Sequence, residues 1–336
     1  MVIKMKKYDL AIVGATGMVG RTFIKVLEER NLPLNNIYFF ASARSAGSAI
    51  TFKGKEYPVE ELTEQSFDKK IDIALFSAGG DISRIYAPIA KQKGVVVIDN
   101  SNAWRMDPSV PLIVPEVNKE DIKNHQGIIA NPNCSTIQAL VAIKPLHDAY
   151  KAKRIVFTTF QSVSGAGKSG CDELENSLKG LPAKKFPHQI ANNCIPHIDV
   201  FLDNGYTKEE MKMVNETRKM FHEPDLKITA TCVRVPVMKS HSEAINIEFE
   251  KPFNLTDVFT ILKNSPGVEV IDDVNNAKYP LAAEAADTDS TYVGRIRRDE
   301  SVESGLNIWV VADNVRKGAA TNAIQIAEEL IKIWEK

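Results

Sequence analysis

Cysteine is scarce in this 336-residue chain: there are four, at 134, 171, 194 and 232, and none forms a C-x-x-C pair. That excludes a disulfide framework and suits reduced thiols in a cytoplasmic protein. Neither charge is in surplus. The 42 basic and 43 acidic residues leave a formal net charge of −1, so nothing in the charge balance argues for nucleic acid or an anionic membrane. No apolar run approaches the roughly 18 residues of a membrane span. Internal repeats, low-complexity linkers and H-E-x-x-H are all missing. The opening MVIKMKKYDLAIVGATGMVGR has the basic start and apolar stretch of a secretion signal. Glycines interrupt it and it runs into a helical pattern, so no signal peptide is expected. MVIKMKK itself has no assignable role.

What is present is ordinary in bulk, with 44% hydrophobic and 25% charged residues, and long enough for two domains. The first hundred residues read as strand DLAIV, turn GATGMVG and a helix to about Arg30, followed by apolar runs IYFFAS, IDIALFSAG and GVVVIDNS with helices between, one near 81–93. Such alternation predicts a doubly wound, parallel, Rossmann-like α/β sheet. Gly14, Gly17 and Gly20 depart from G-x-G-x-x-G, yet they lie between a buried strand and a helix start. There glycines let a pyrophosphate approach backbone N–H groups. Gly14, Thr16, Gly17, Met18 and Val19 are therefore candidate cofactor contacts. After the second strand an NAD site wants a carboxylate for the ribose 2′-hydroxyl. The chain offers Ser42, Arg44 and Ser45 instead, which suits a 2′-phosphate, so NADP(H) is expected over NAD; the alternative is a solvent-exposed loop arginine.

The pattern changes beyond residue 132. RIVFTTFQSVSG, AINIEFE, VEVIDD, TYVGRIRR and LNIWVVAD read as strands, with helices at 206–221 and 254–264. This predicts an α+β domain with one sheet. The closing GAATNAIQIAEELIKIWEK puts Ala323, Ile324, Ala327, Leu330, Ile331 and Trp334 on one stripe, a helix expected to return to the nucleotide domain. The expected division is 1–132 with 317–336 as nucleotide domain and 133–316 as catalytic and dimerisation domain.

At 131 the chain reads NPNCSTIQAL. A tight turn precedes an amphipathic pattern, with Asn133 or Ser135 as N-cap. Cys134 then falls at the positive end of a helix dipole, which favours a thiolate. Cys171 and Cys232 carry no local signature and read as packing residues. Cys194, His188 and His197 lack a second ligand pair at zinc spacing, so no metal is expected. On spacing alone His241 reads as an exposed loop residue and Arg234 as a surface strand arginine. Glu216 and Lys219, three apart, read as a solvated helix pair.

GATGMVG, SNAWRM, NPNCST, QSVSGAG, FPHQIANNCIPHID and RVPVMKSHSE together resemble the aspartate-β-semialdehyde dehydrogenase family, in that family's order over essentially the whole chain. The resemblance implies NADPH-dependent reduction of L-aspartyl 4-phosphate to aspartate semialdehyde with release of phosphate, towards lysine (through diaminopimelate), threonine and methionine. It also implies a homodimer or tetramer. Cys134 would be the nucleophile, His241 the acid/base with a pKa near 6.5, and Gln161 the residue orienting the acyl group. Arg234 would clamp the α-carboxylate, Arg105 and Lys219 the phosphate, and Glu216 the amino group. Ser164, Gly165 and Asn314 would lie near the nicotinamide. An N-acetylglutamyl-phosphate reductase is the nearest rival, and an inert NADP-binding regulatory protein the rival from another class.

Overall fold

A computed structural model describes residues 6–182 and 184–335; residues 1–5 of MVIKMKK lie outside these. The chain divides into two compact units, Met1–Pro132 with Ala319–Lys336, and Asn133–Gly318. The elements run β1 (Tyr8–Val13), α1 (Met18–Glu29), β2 (Leu34–Ala41), β3 (Ala49–Phe52), β4 (Lys55–Glu61), β5 (Ile73–Phe76), α2 (Gly80–Gln92), β6 (Val96–Asp99), α3 (Pro115–Asn118) and β7 (Ile128–Ala130). Then come α4 (Cys134–Tyr150), β8 (Ala152–Gln161), α5 (Lys168–Leu178), α6 (Lys208–Phe221), β9 (Lys227–Arg234) and β10 (His241–Phe249). The remainder is α7 (Leu255–Asn264), β11 (Val268–Val270), α8 (Ala282–Ala285), β12 (Thr291–Asp299), β13 (Gly305–Ala312) and α9 (Thr321–Trp334).

The first unit holds a seven-stranded sheet in the order β3-β4-β2-β1-β5-β6-β7. Every neighbouring pair is parallel except the β3–β4 hairpin. β1 is buried along its whole length, as a parallel strand covered on both faces must be. α9 returns here as expected: Ala323, Ile324, Ala327, Leu330 and Ile331 share one core with Phe23, Val26 and Leu27 of α1. Arg30 adds two hydrogen bonds to Glu328, 2.7 and 2.6 Å. Two glycines make the β1–α1 turn possible. Gly14 has φ +86°, and a Cβ on it would lie 2.4 Å from the Ser77 carbonyl oxygen; one on Gly20 would lie 2.2 Å from the Gly14 oxygen. Only hydrogen fits at either place. The β3–β4 hairpin was not expected. It turns through Lys53 and Gly54, both with positive φ, and the lysine hides the usual Asn-Gly signal of such a turn.

The second unit holds a six-stranded sheet ordered β11-β12-β13-β10-β8-β9. β8–β9 and β11–β12 are parallel, the other neighbours antiparallel. α4 lies against β8, β10, β12 and β13, with α6 and α7 beside it. Ile155, Phe157, Ile245, Ile247, Ile308 and Val310 are buried. Two readings need correction. α4 is not amphipathic over its first turns, because Ser135 to Ile143 are all buried. VEVIDD contributes only three strand residues, while the strand that carries Arg234, β9, runs parallel to β8.

Candidate active site

The site is assembled in the second unit where one helix begins and three strands end. Asn133 is the N-cap of α4, its Oδ1 accepting from the backbone N–H groups of Ser135 (3.0 Å) and Thr136 (3.4 Å). Cys134 is therefore the first helical residue, and it is half-buried rather than sealed in the core. Its sulfur sits where orphan N–H groups and the helix dipole favour an anion. Beside it, a Cβ on Gly318 would come within 3.0 Å of the Cys134 Cβ. Gly318 carries no sequence signal of this; its necessity comes from packing alone.

The strand ends bring in three further groups. β8 and β9 pair with Gln161 opposite Arg234, and β10 starts at His241 next to Gln161, since Ser242 pairs with Phe160. All three side chains are buried. The exposed-loop and surface-strand readings of His241 and Arg234 are thus overturned, because β10 is an inner strand and the edge strand β9 is covered by α6. The backbone N–H of Ser162 donates to His241 Nδ1 at 3.0 Å, and the Ser162 hydroxyl lies 3.1 Å from the same nitrogen. With Nδ1 accepting, the neutral ring carries its proton on Nε2. Burial first, then the Arg234 charge, hold the imidazole neutral by lowering its pKa from 6.5 to about 3. The ordinary value near 6.5 expected from sequence is corrected accordingly.

Arg234 Nη1 donates to the Ser162 carbonyl at 2.7 Å, and its guanidinium lies 5.8 Å from the Phe186 ring centroid. Burial lowers its pKa, while Glu209 and Cys134 act in the opposite direction. Gly165 packs against both cationic and imidazole groups: a Cβ there would meet Arg234 Nη1 at 2.8 Å and His241 Cε1 at 3.2 Å. Asn314 Oδ1 accepts from Ser162 Oγ (3.1 Å), Ser164 Oγ (3.0 Å) and the Ser240 N–H (3.0 Å). Ser164 and Asn314 thus brace the two residues that flank the imidazole.

α6 supplies acidic groups. Glu216 is 1% exposed and its Oε2 accepts from the Asn133 N–H at 2.7 Å, so it is no member of a solvated face; Lys219 is half-buried. Glu209, unremarked in the sequence, accepts from Asn133 Nδ2 (2.9 Å), Gln161 Nε2 (3.1 Å) and Lys212 Nζ (2.8 Å). Glu243 is fully buried on β10, and among the described residues neither of its oxygens has a hydrogen-bond partner. Cys232 is buried, and desolvation pushes its thiol pKa up; Cys171 is half-buried and Cys194 exposed. Among the described residues no group of three His, Cys, Asp or Glu side chains is placed to hold a metal ion, and no helix is long and apolar enough to cross a membrane.

In the first unit, α1 begins at Met18 after Gly17, whose cap has no side-chain hydrogen bond. A helix start of this kind, with no side-chain cap from Gly17, suits an anionic acceptor. Thr16 Oγ1 donates to Ser45 Oγ at 3.4 Å, which ties the glycine turn to the loop carrying exposed Ser42 and Arg44. Arg105 is buried, with Nε donating to the Asn131 carbonyl (2.9 Å) and Nη2 to that of Asn100 (3.0 Å).

Residues 9–125 match the family described as "Semialdehyde dehydrogenase, NAD binding domain", and residues 143–317 that described as "Semialdehyde dehydrogenase, dimerisation domain". Fold and family matches therefore define a semialdehyde dehydrogenase with a nucleotide-binding domain and a dimerisation domain. An aspartate-semialdehyde dehydrogenase of Aquifex aeolicus is 57% identical, with 97% of this chain and 98% of the relative covered. One from Campylobacter jejuni is 52% identical over 98% and 99%. A crystal structure of aspartate semialdehyde dehydrogenase II from Vibrio cholerae, complexed with ASA, superposes with TM-score 0.94 at 50% identity, covering 98% of this chain and 99% of that one. The chain belongs to the aspartate-semialdehyde dehydrogenase family.

Proposed function

We propose that this enzyme reduces L-aspartyl 4-phosphate to L-aspartate 4-semialdehyde with NADPH, releasing phosphate, through a thioester on Cys134. The observations that support the reading are a half-buried cysteine at a capped helix start and, in the same unit, a buried imidazole whose Nδ1 accepts from Ser162 and whose proton is thereby on Nε2. The glycine turn of the first unit fits a dinucleotide: its close packing leaves bare backbone, and α1 starts without a side-chain cap. Gly14, Thr16, Gly17, Met18 and Val19 would hold the pyrophosphate side, and Ser42, Arg44 and Ser45 the 2′-phosphate that distinguishes NADP from NAD. When bound, the dihydronicotinamide supplies a hydride to the acyl carbon.

The chain's own residues do the rest. The Cys134 thiolate attacks the acyl carbon, a C–S bond forms and the C–O bond to phosphate breaks, so phosphate leaves with the electron pair. Arg105 and Lys219 are the cations assigned to that leaving group. Arg234 holds the substrate α-carboxylate and Glu216 its amino group, while Gln161 orients the acyl carbonyl. His241 Nε2–H stabilises the negative sulfur and then the oxyanion of the thiohemiacetal. Collapse restores C=O and returns the electron pair to Cys134. A neutral Nε2–H can donate a hydrogen bond to each of these anions in turn without changing its own charge. The match to a dimerisation domain supports assembly as a homodimer or tetramer.

The test is spectrophotometric. Aspartate semialdehyde, NADP and phosphate should generate NADPH absorbance, and N-acetylglutamate semialdehyde should not. Turnover of the acetylated substrate in place of the free one would overturn the assignment.

A further inference from the structure

Gln138 is 0% exposed and lies one turn after Cys134 on α4, on the same helix face. We propose that Gln138 is a positioning residue that latches the first residue of β10, holding His241 in place across a strained link in the chain, and that it does so at a cost to stability. This deepens the function proposed above and rests on Cys134 as nucleophile and His241 as proton donor.

The strain lies at Ser240, the residue before His241. Its φ is +71°, in the left-handed region that a Cβ disfavours. Asn and Asp tolerate that region through a local side-chain hydrogen bond. The Ser240 hydroxyl is buried and has no partner among the described residues, so the conformation is held from outside. Two bonds do this, one on each side of the strained residue. The Ser240 N–H donates to Asn314 Oδ1 at 3.0 Å, and the His241 carbonyl accepts from Gln138 Nε2 at 3.1 Å. The second bond joins the helix that opens on Cys134 to the strand that opens on His241. Backbone strain persists only where the surrounding structure over-determines it. Without Gln138 one of the two restraints is gone, and relaxation of Ser240 toward negative φ re-aims the imidazole one residue on.

Stability does not account for the amide. Gln138 Oε1 is buried with no partner among the described residues. Leaving one buried oxygen unpaired costs as much as, or more than, one neutral hydrogen bond returns. An apolar side chain of the same length would avoid that penalty. The amide at 138 is therefore explained by the bond it makes, to the His241 carbonyl.

The experiment compares the full-length parent with Gln138→Met, Ser240→Gly and the double variant, reading kcat, the KM for NADP and the denaturant midpoint. Methionine keeps the length of the side chain and removes the amide. Gln138→Met should lower kcat about tenfold or more, leave that KM within about twofold and keep the midpoint at or above the parent's. Adding Ser240→Gly to it should recover at least about threefold in kcat, because glycine takes a positive φ without strain and needs no latch. A Gln138→Met kcat within about twofold of the parent, a lowered midpoint, or a recovery below about threefold overturns the proposal. If Gln138→Met does not fold, Gln138→Leu carries the same comparison, and failure of both to fold contradicts the claim that the amide costs stability. Should the parent protein fail to oxidise aspartate semialdehyde, the function assignment falls, and the comparison is read instead on the rate of Cys134 alkylation by iodoacetamide, followed by peptide mass. Slowing by Gln138→Met that Ser240→Gly reverses supports the latch, and equal rates in all four proteins contradict it.

Discussion

The backbone N–H of Ser162 donates to His241 Nδ1 at 3.0 Å, and this one bond decides which nitrogen of the imidazole can act. Ser162 follows the last residue of β8 and His241 opens β10, so neighbouring strands set the tautomer. The ring is neutral over the working range, with its pKa lowered to about 3 by burial and by Arg234. Its effect on stability has a definite sign. A histidine with a depressed pKa contributes fully above its unfolded value near 6.5, and that contribution is lost as pH falls toward 3. The His241 ring protons should accordingly show no titration by NMR between pH 5 and 8. A midpoint near 6.5 would contradict the neutral-donor account.

Gly318→Ala should lower kcat by about tenfold or more without weakening NADPH binding. The added carbon would sit 3.0 Å from Cys134 Cβ, tighter than most real side-chain contacts, so Cys134 must give by a few tenths of an ångström. Steady-state kinetics beside a nucleotide titration checks this. Parental kcat would mean that the helix start yields without harm.

Glu243→Gln should stabilise the protein increasingly as pH rises. Burial pushes the Glu243 carboxyl well above its ordinary 4.5, so its stabilising contribution is complete below that value and declines through the window up to the folded-state pKa. The stability gap between variant and parent should widen by about 1.4 kcal/mol per pH unit above 4.5. Denaturant melts from pH 4 to 8 measure the gap, and parallel curves would refute the assignment of a buried neutral acid.

Arg44→Ala should weaken NADPH by about 1.5–3 kcal/mol, the usual range for a charge-assisted hydrogen bond, and leave NADH nearly unchanged. Arg44 is exposed on the loop that Ser45 ties to Thr16. Equal losses for the two nucleotides, measured by fluorescence titration, would remove Arg44 as the reader of a 2′-phosphate.

The parts legible in the sequence were those with local causes. Buried parallel strands such as Tyr8–Val13 are continuous apolar runs, the α9 stripe recurs at helical spacing, and Asn133 ahead of Cys134 is a cap written in the chain. What escaped depends on partners far away in sequence. Glu209 and Glu216 sit on a helix that looks solvated, and only packing against Asn133, 76 and 83 residues earlier, reveals their task. Gly318 matters because Cys134 lies beside it, and Gln161 meets Arg234 only through the pairing of β8 with β9. Spacing cannot report burial of a polar group, since burial is decided by what covers it.

The covalent intermediate can be sought directly. Protein mixed with aspartate semialdehyde and NADP, without phosphate to release the acyl group, is quenched in acid and digested, and the Cys134 peptide is weighed. An aspartyl adduct on Cys134 that disappears when phosphate is added is the expected result. Turnover with no adduct, or an adduct confined to Cys171 or Cys194, would contradict the thioester route.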